Sequence, residues 1–253
     1  MPPHRWLCRC LAPDGLCPTA ELTSTLDAPD FAWEPLLVLA HRHFIAAPWY
    51  AALQRRGLLE RLPVEMNAHL AAVYTLSLER NQILRRELLH AARAFNALGI
   101  EPLLLKGALA LLPDQPPEIA ARLMGDLDVL LPANRLADSQ NALKALGYYD
   151  PHEGDDQYRT HHHVPPLVHR NHGVKFELHH AVLGRSQDAA LPAAEMWRDS
   201  QRIPFKDTLV RSPALTHRVL HNLLHTLLQD HRAEWGMLEL RQVLDLVQFR
   251  ASG

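Results

Sequence analysis

The chain lacks the short signatures that announce the commonest nucleotide and hydrolase chemistries. It has no G-x-x-x-x-G-K-[ST] loop, no G-x-G-x-x-G turn and no G-x-S-x-G elbow. P-loop, Rossmann and serine-hydrolase readings therefore have no support. Cysteine is scarce: Cys8, Cys10 and Cys17 stand alone, all near the N-terminus. Their C-x-C-x₆-C spacing is not a zinc-finger pattern, and a closed site would need a fourth ligand such as His4. The odd count argues against a disulfide framework, so a reduced, loose segment is the simpler reading. Neither sign of charge dominates, at 26 basic against 28 acidic residues, so no global basic field attracts extended nucleic acid. No apolar run is long enough to span a bilayer, and the first residues have no signal-peptide core. A cytoplasmic protein without membrane partners is the expectation.

What is abundant is histidine, with 17 residues in clusters. His161-His162-His163 is followed by Val164-Pro165-Pro166, so the triplet is internal and not a terminal tag. His217, His221 and His225 recur every four residues on one expected helix. That spacing can hold a transition metal, but no H-E-x-x-H accompanies it, and a structural helix face is the simpler reading.

Periodicity divides the chain into four segments. Residues 1–30, rich in Pro, Cys and polar residues, read as a loose lead-in. Residues 31–99 read as helical. Their longest stretch runs from Val64 to Leu98 without Gly or Pro, with Leu70, Val73, Leu84, Leu88, Ala91 and Phe95 at helical spacing and Gly99 as the stop. Residues 100–211 read as an α+β core and 212–253 as a C-terminal helical region. Within the core, a short strand ends at Lys106-Gly107. Gly125 to Leu131 forms a strand, Asn134 to Leu146 a helix, and His163 to His169 pairs with Val174 to His180 around Asn171-His172-Gly173. The fold class is α+β: a small mixed β-sheet core with helical N-terminal and C-terminal extensions.

The chemistry concentrates at Arg122-Leu-Met-Gly-Asp-Leu-Asp-Val-Leu-Leu131. In a strand, alternate side chains share a face, so Asp126 and Asp128 lie together opposite Leu127 and Val129. Two carboxylates on one face suit a hard divalent cation such as Mg²⁺, and also fit an ordinary polar edge. In Lys175-Phe-Glu-Leu-His179, Glu177 shares a face with Lys175 and His179. A neighbouring strand would make Glu177 a third carboxylate, or a cross-strand ion-pair partner. Gly107 allows close backbone approach to a ligand, and Lys106 and Arg122 suit either phosphate contact or ion pairs with the aspartates.

Strand–Lys106-Gly107–helix, then Gly125-Asp-Leu-Asp128 on a strand, then an acidic strand, resembles the polymerase-β-like nucleotidyltransferase superfamily. Leu104-Leu-Lys-Gly-Ala108, Arg122-x-x-Gly-Asp-Leu-Asp-Val-Leu130 and Glu177-Leu-His179 more closely resemble a bacterial nucleotidyltransferase family within it, over residues 30–250. The resemblance implies an NTP donor, ATP giving AMP, with Mg²⁺ held by Asp126, Asp128 and Glu177. It implies triphosphate contacts from Lys106, Gly107, Arg122 and Gly125, while His179 suits the triphosphate, a metal carboxylate or an ordinary structural hydrogen bond alike. The acceptor it leaves open, a small molecule or protein hydroxyl being favoured over extended nucleic acid. The wider superfamily usually has Ser after the loop glycine, where this chain has Ala108. That departure motivates a second reading, a catalytically weak or inactive nucleotide-binding or adaptor protein on the same fold.

Overall fold

A computed structural model describes residues 2–28, 31–113, 119–152, 158, 161–229 and 239–251. The acidic segment 153–156, most of the Pro-rich loop 113–118 and the expected start of the last helix at 235 lie outside these residues. Nine α-helices are described: α1 (Pro3–Leu11), α2 (Thr19–Leu26), α3 (Trp33–Arg42), α4 (Ala46–Arg55), α5 (Val64–Ala97), α6 (Leu136–Ala145), α7 (Ala193–Arg198), α8 (Leu215–Leu224) and α9 (Leu240–Ala251). The strands are β1 (Leu103–Leu104), β2 (Asp126–Leu130), β3 (Tyr148–Tyr149), β4 (Leu167–His169), β5 (Lys175–His179), β6 (Gln201–Phe205) and β7 (Thr208–Ser212). Among the described residues no helix is long and apolar enough to cross a membrane. The chain forms two compact units, 1–81 with 116–124 and 239–251, and 82–115 with 125–238 and 252–253.

The first unit contains a correction. The lead-in expected to be loose carries α1 and α2. Pro3 stands at the first helical position, where its missing N–H costs nothing, and α1 buries Trp6, Leu7 and Cys10. Trp6 packs edge-on against Phe31, Trp33 and Trp49, with centroids at 5.4, 5.8 and 6.4 Å. Helices this short gain their stability from such tertiary burial, which local composition does not reveal. Arg56 then ties the segment down. Its Nε donates to the Cys10 carbonyl at 3.0 Å, and its two Nη groups donate to Cys17 and Ala12 at 2.9 and 2.7 Å. Cys10 and Cys17 are buried free thiols, and burial pushes Cys10 up to about 12, which makes it an inert core residue.

The second unit is built on a mixed seven-stranded sheet in the order β3-β4-β5-β2-β1-β7-β6. β2 runs parallel to β5 and antiparallel to β1. The β6–β7 hairpin lies in a region expected to be mostly helical. Its signal was alternation: Ile203, Phe205, Thr208 and Val210 turn inward on either side of Lys206-Asp207. Pro204 in β6 distracts from that reading, and edge strands tolerate it because the missing N–H faces no partner. A second correction concerns 163–169. Only Leu167–His169 is strand, and His163 joins β5 through an isolated bridge to His179. Pro165 and Pro166 supply no N–H to a ladder, so the regular strand fails between them.

Candidate active site

Strand pairing assembles the site. The parallel register of β2 and β5 sets Asp128 opposite Glu177 and Leu130 opposite His179. Because side chains alternate, Asp126 and Asp128 share the face on which Glu177 and His179 stand. The opposite face buries Leu127, Val129, Phe176 and Leu178 at 0% exposure, which fixes the register. A one-residue slip would turn the carboxylates into that core.

The chain enters from the other side through β1. Leu105 donates its N–H to the Asp128 carbonyl at 3.0 Å, which places Lys106 beside the Asp128 side chain. Lys106 adopts φ 45°, the left-handed region that a non-glycine residue avoids. Its ammonium lies 2.8 Å from Asp128 Oδ1. The expected helix after it is a 3₁₀ turn, Lys106–Leu111, and the Ala108 N–H is already donated to Leu105.

Asp128 Oδ1 also lies 2.9 Å from His179 Nε2, so one carboxylate oxygen meets two donors. His179 Nε2 stands 3.7 Å from Glu177 Oε2, and His163 Nε2 stands 3.8 Å from the same oxygen. Burial alone would raise the Asp128 pKa, but Lys106 and His179 override it and hold the carboxyl well below the usual range. Burial likewise opposes charge on His179 and Lys106, and their carboxylate partners still push both upward. Glu177 is lowered against its own burial, chiefly by the His179 hydrogen bond.

Neutral imidazoles border this charged centre. Burial first, and the neighbouring cations after it, push His162 down to about 2. Burial also lowers His161 and His163. His163 Nδ1 donates to the Val164 carbonyl at 2.8 Å, so the Nε2 lone pair faces Glu177. The irregular backbone lets both His162 and His163 approach His179, each with ring centroids 5.2 Å away. Strand alternation would have admitted only one of them.

Three groups of donors must be distinguished, one of them the triplet His161, His162 and His163 itself. The Asp128, Glu177 and His179 donor atoms lie within 4.8 Å of one another, a fit for a divalent cation. Glu87, His169 and His172 are as close, yet their atoms are committed elsewhere. Tyr148 Oη donates to Glu87 at 3.1 Å, and the Nδ1 atoms of His169 and His172 accept the Asn171 and Val174 N–H groups. His169 Nε2 donates to the Leu146 carbonyl, and the two imidazoles stack at 3.7 Å with planes 5° apart. Parallel rings cannot both aim in-plane lone pairs at one ion. Nothing in the sequence spacing marks this second cluster, because Glu87 comes from distant α5.

Among the residues expected at the site, the structure brings together Lys106, Asp128, Glu177 and His179. Asp126 contributes to the field at Lys106 from the same strand face. Gly125 precedes β2, and a Cβ built there would meet nothing within 4 Å. Gly107 follows Lys106 in the 3₁₀ turn. Arg122 belongs to the first unit, where its guanidinium pairs with Asp245 and its carbonyl accepts from Ser77 and Asn81. The sequence allowed one of His162 and His163 to face the site by strand alternation, and the structure brings both rings near His179 and sets His163 beside Glu177.

No significant match was found among curated proteins or solved structures. The model of the family described as "Uncharacterised nucleotidyltransferase" matches residues 29–252, and the chain belongs to that family.

Proposed function

We propose that this member of the uncharacterised nucleotidyltransferase family moves AMP from ATP to an acceptor hydroxyl, with Mg²⁺, and releases pyrophosphate. The observation that carries the reading is the in-register pair Asp128 and Glu177, with the Lys106 ammonium on Asp128. Membership of the family supports nucleotidyl transfer from an NTP, usually with a divalent metal. Asp126, Asp128 and Glu177 would hold the cation, and its positive charge would offset charge developing on the phosphoryl oxygens.

The chain's own groups then divide the work. Lys106, with Gly107 allowing close approach, faces the triphosphate, and Gly125 leaves room beside β2. His179 holds Asp128 in place. A phosphate contact by Arg122 would compete with its ion pair to Asp245. The acceptor oxygen forms a bond to the α-phosphorus while the α–β bridging bond breaks, and pyrophosphate carries off that electron pair. The acceptor proton passes to Glu177, the less encumbered of the two carboxylates. Positioning and charge neutralisation supply most of the rate.

The test is transfer of label from α-labelled ATP with Mg²⁺ to supplied small-molecule and protein hydroxyls. Wild type should label an acceptor and Asp126→Ala/Asp128→Ala should not; equal behaviour sinks the reading. A second reading is a nucleotide-binding protein with little or no turnover. It is favoured by buried Ala108, which stands where the wider superfamily has serine and offers no hydroxyl to a phosphate. Calorimetric binding of Mg·ATP without label transfer would favour it, and absence of binding would exclude its nucleotide-sensing form.

A further inference from the structure

We propose that His163 and His179 join Asp128 and Glu177 in a mixed nitrogen–oxygen centre for one resident transition-metal ion, Zn²⁺ being the probe of choice. The inference rests on the carboxylate cation site of the preceding reading and changes which ion fills it; Mg²⁺ would still enter with the triphosphate.

Three features of the geometry point this way. First, the donor set is not the all-oxygen set that Mg²⁺ favours. Two imidazole nitrogens converge on Glu177 Oε2, at 3.7 and 3.8 Å. Imidazole with carboxylate suits Zn²⁺ and its neighbours, which bind nitrogen sites far more tightly than Mg²⁺ does. Second, the His163 tautomer is fixed by its outer hydrogen bond. A carbonyl can only accept, so Nδ1 donates to Val164, and Nε2 is the ring atom left beside Glu177 Oε2, at 3.8 Å. An imidazole anchored through its second nitrogen is also how metal-ligating histidines are held. Third, the Glu87–His169–His172 group shows the alternative, in which histidines beside a carboxylate spend their lone pairs on backbone N–H groups. His163 does not.

Binding has a defined balance. The dication replaces the proton that His179 Nε2 shares with Asp128, and that proton leaves to solvent. It also displaces the Lys106 ammonium from Asp128 Oδ1, which frees Lys106 for the triphosphate.

The test uses the full chain without a polyhistidine tag, stripped by chelator and titrated calorimetrically with Zn²⁺ and separately with Mg²⁺, without nucleotide. One Zn²⁺ should bind at least about 100-fold more tightly than Mg²⁺. His163→Ala and His179→Ala should each weaken Zn²⁺ by about tenfold or more. His169→Ala should leave the Zn²⁺ affinity in place. Zn²⁺ binding that is indifferent to both His163 and His179, or that disappears in His169→Ala, overturns the proposal. Spin-echo spectra of the Cu²⁺-loaded wild type count imidazoles without any variant: two are expected, and none overturns it. Imidazole-dependent Zn²⁺ binding without label transfer would sink the transferase reading alone. Mg²⁺-supported transfer without that Zn²⁺ binding would sink this one alone.

Discussion

Two cations, Arg56 buried and Lys106 half-buried, are held in opposite ways. Arg56 in the first unit has a fully buried side chain and spreads its donors over the carbonyls of Cys10, Ala12 and Cys17, with Asp14 at 3.1 Å. Each carbonyl belongs to a different position of the segment 10–17. Lys106 in the second unit shares one oxygen of Asp128 with His179, and it does so from a left-handed backbone position. The guanidinium clamp has a partner for each of its nitrogens. The ammonium site concentrates several charges on few oxygens, a state that one dication can reorganise.

The largest expected effect breaks the convergent side. Asp128→Asn removes the anion that both Lys106 and His179 address while keeping its shape. Label transfer in single turnover should fall by about 10³-fold or more, the scale of losing a major electrostatic contact at a reacting phosphate. A fall of less than about tenfold, with circular dichroism unchanged, would make Asp128 a structural ion-pair partner like Asp245.

The second effect breaks the clamp side. Arg56→Met leaves three carbonyls near α1 and α2 without their donor. Removing one partner from a buried ionic network costs about 3 kcal/mol, so the urea midpoint should drop markedly. Zn²⁺ affinity per folded molecule should be unchanged. A stability loss under about 1 kcal/mol would mean that water replaces the guanidinium at little cost.

The third sharpens the comparison at Arg122. Its pair with Asp245 is largely buried, at 15% and 9% side-chain exposure. A double-mutant cycle with Arg122→Met and Asp245→Asn should give a coupling of about 1–2 kcal/mol in unfolding free energy. Zero coupling, together with a raised KM for ATP in Arg122→Met, would return Arg122 to the phosphates.

The same contrast explains what could be read in advance. The β2 carboxylates, Glu177 and the strand–Lys106 junction were legible because alternation and short spacing are local rules, and the helix from Val64 was legible through its period. The Arg56 clamp was not. It joins residues about 40 positions apart through backbone carbonyls, which carry no sequence identity. α1 and α2 were hidden for the same reason, since their helicity depends on Trp6 meeting Phe31, Trp33 and Trp49. The triplet His161–His163 was visible, but its use was not, because the bridge to His179 replaces the strand from which faces are counted.

The smallest effect lies at the border of the convergent site. His221 on α8 is buried, and its Nε2 has no hydrogen-bond partner among the described residues. Burial holds its pKa well below the usual value, reinforced by Lys106, His225 and His179 and opposed by Asp128. The unfolded chain takes up a proton near pH 6.5, and the folded chain does so only at much lower pH. Stability from this group is therefore complete above about pH 6.5 and is lost as the pH falls below it. His221→Leu removes that slope. Urea midpoints measured from pH 7.5 to 5 should fall less steeply in the variant than in wild type, with the difference between the curves changing most below about pH 6.5. Parallel curves would mean that His221 titrates normally, and that the positive field of Lys106 is spent entirely on Asp128.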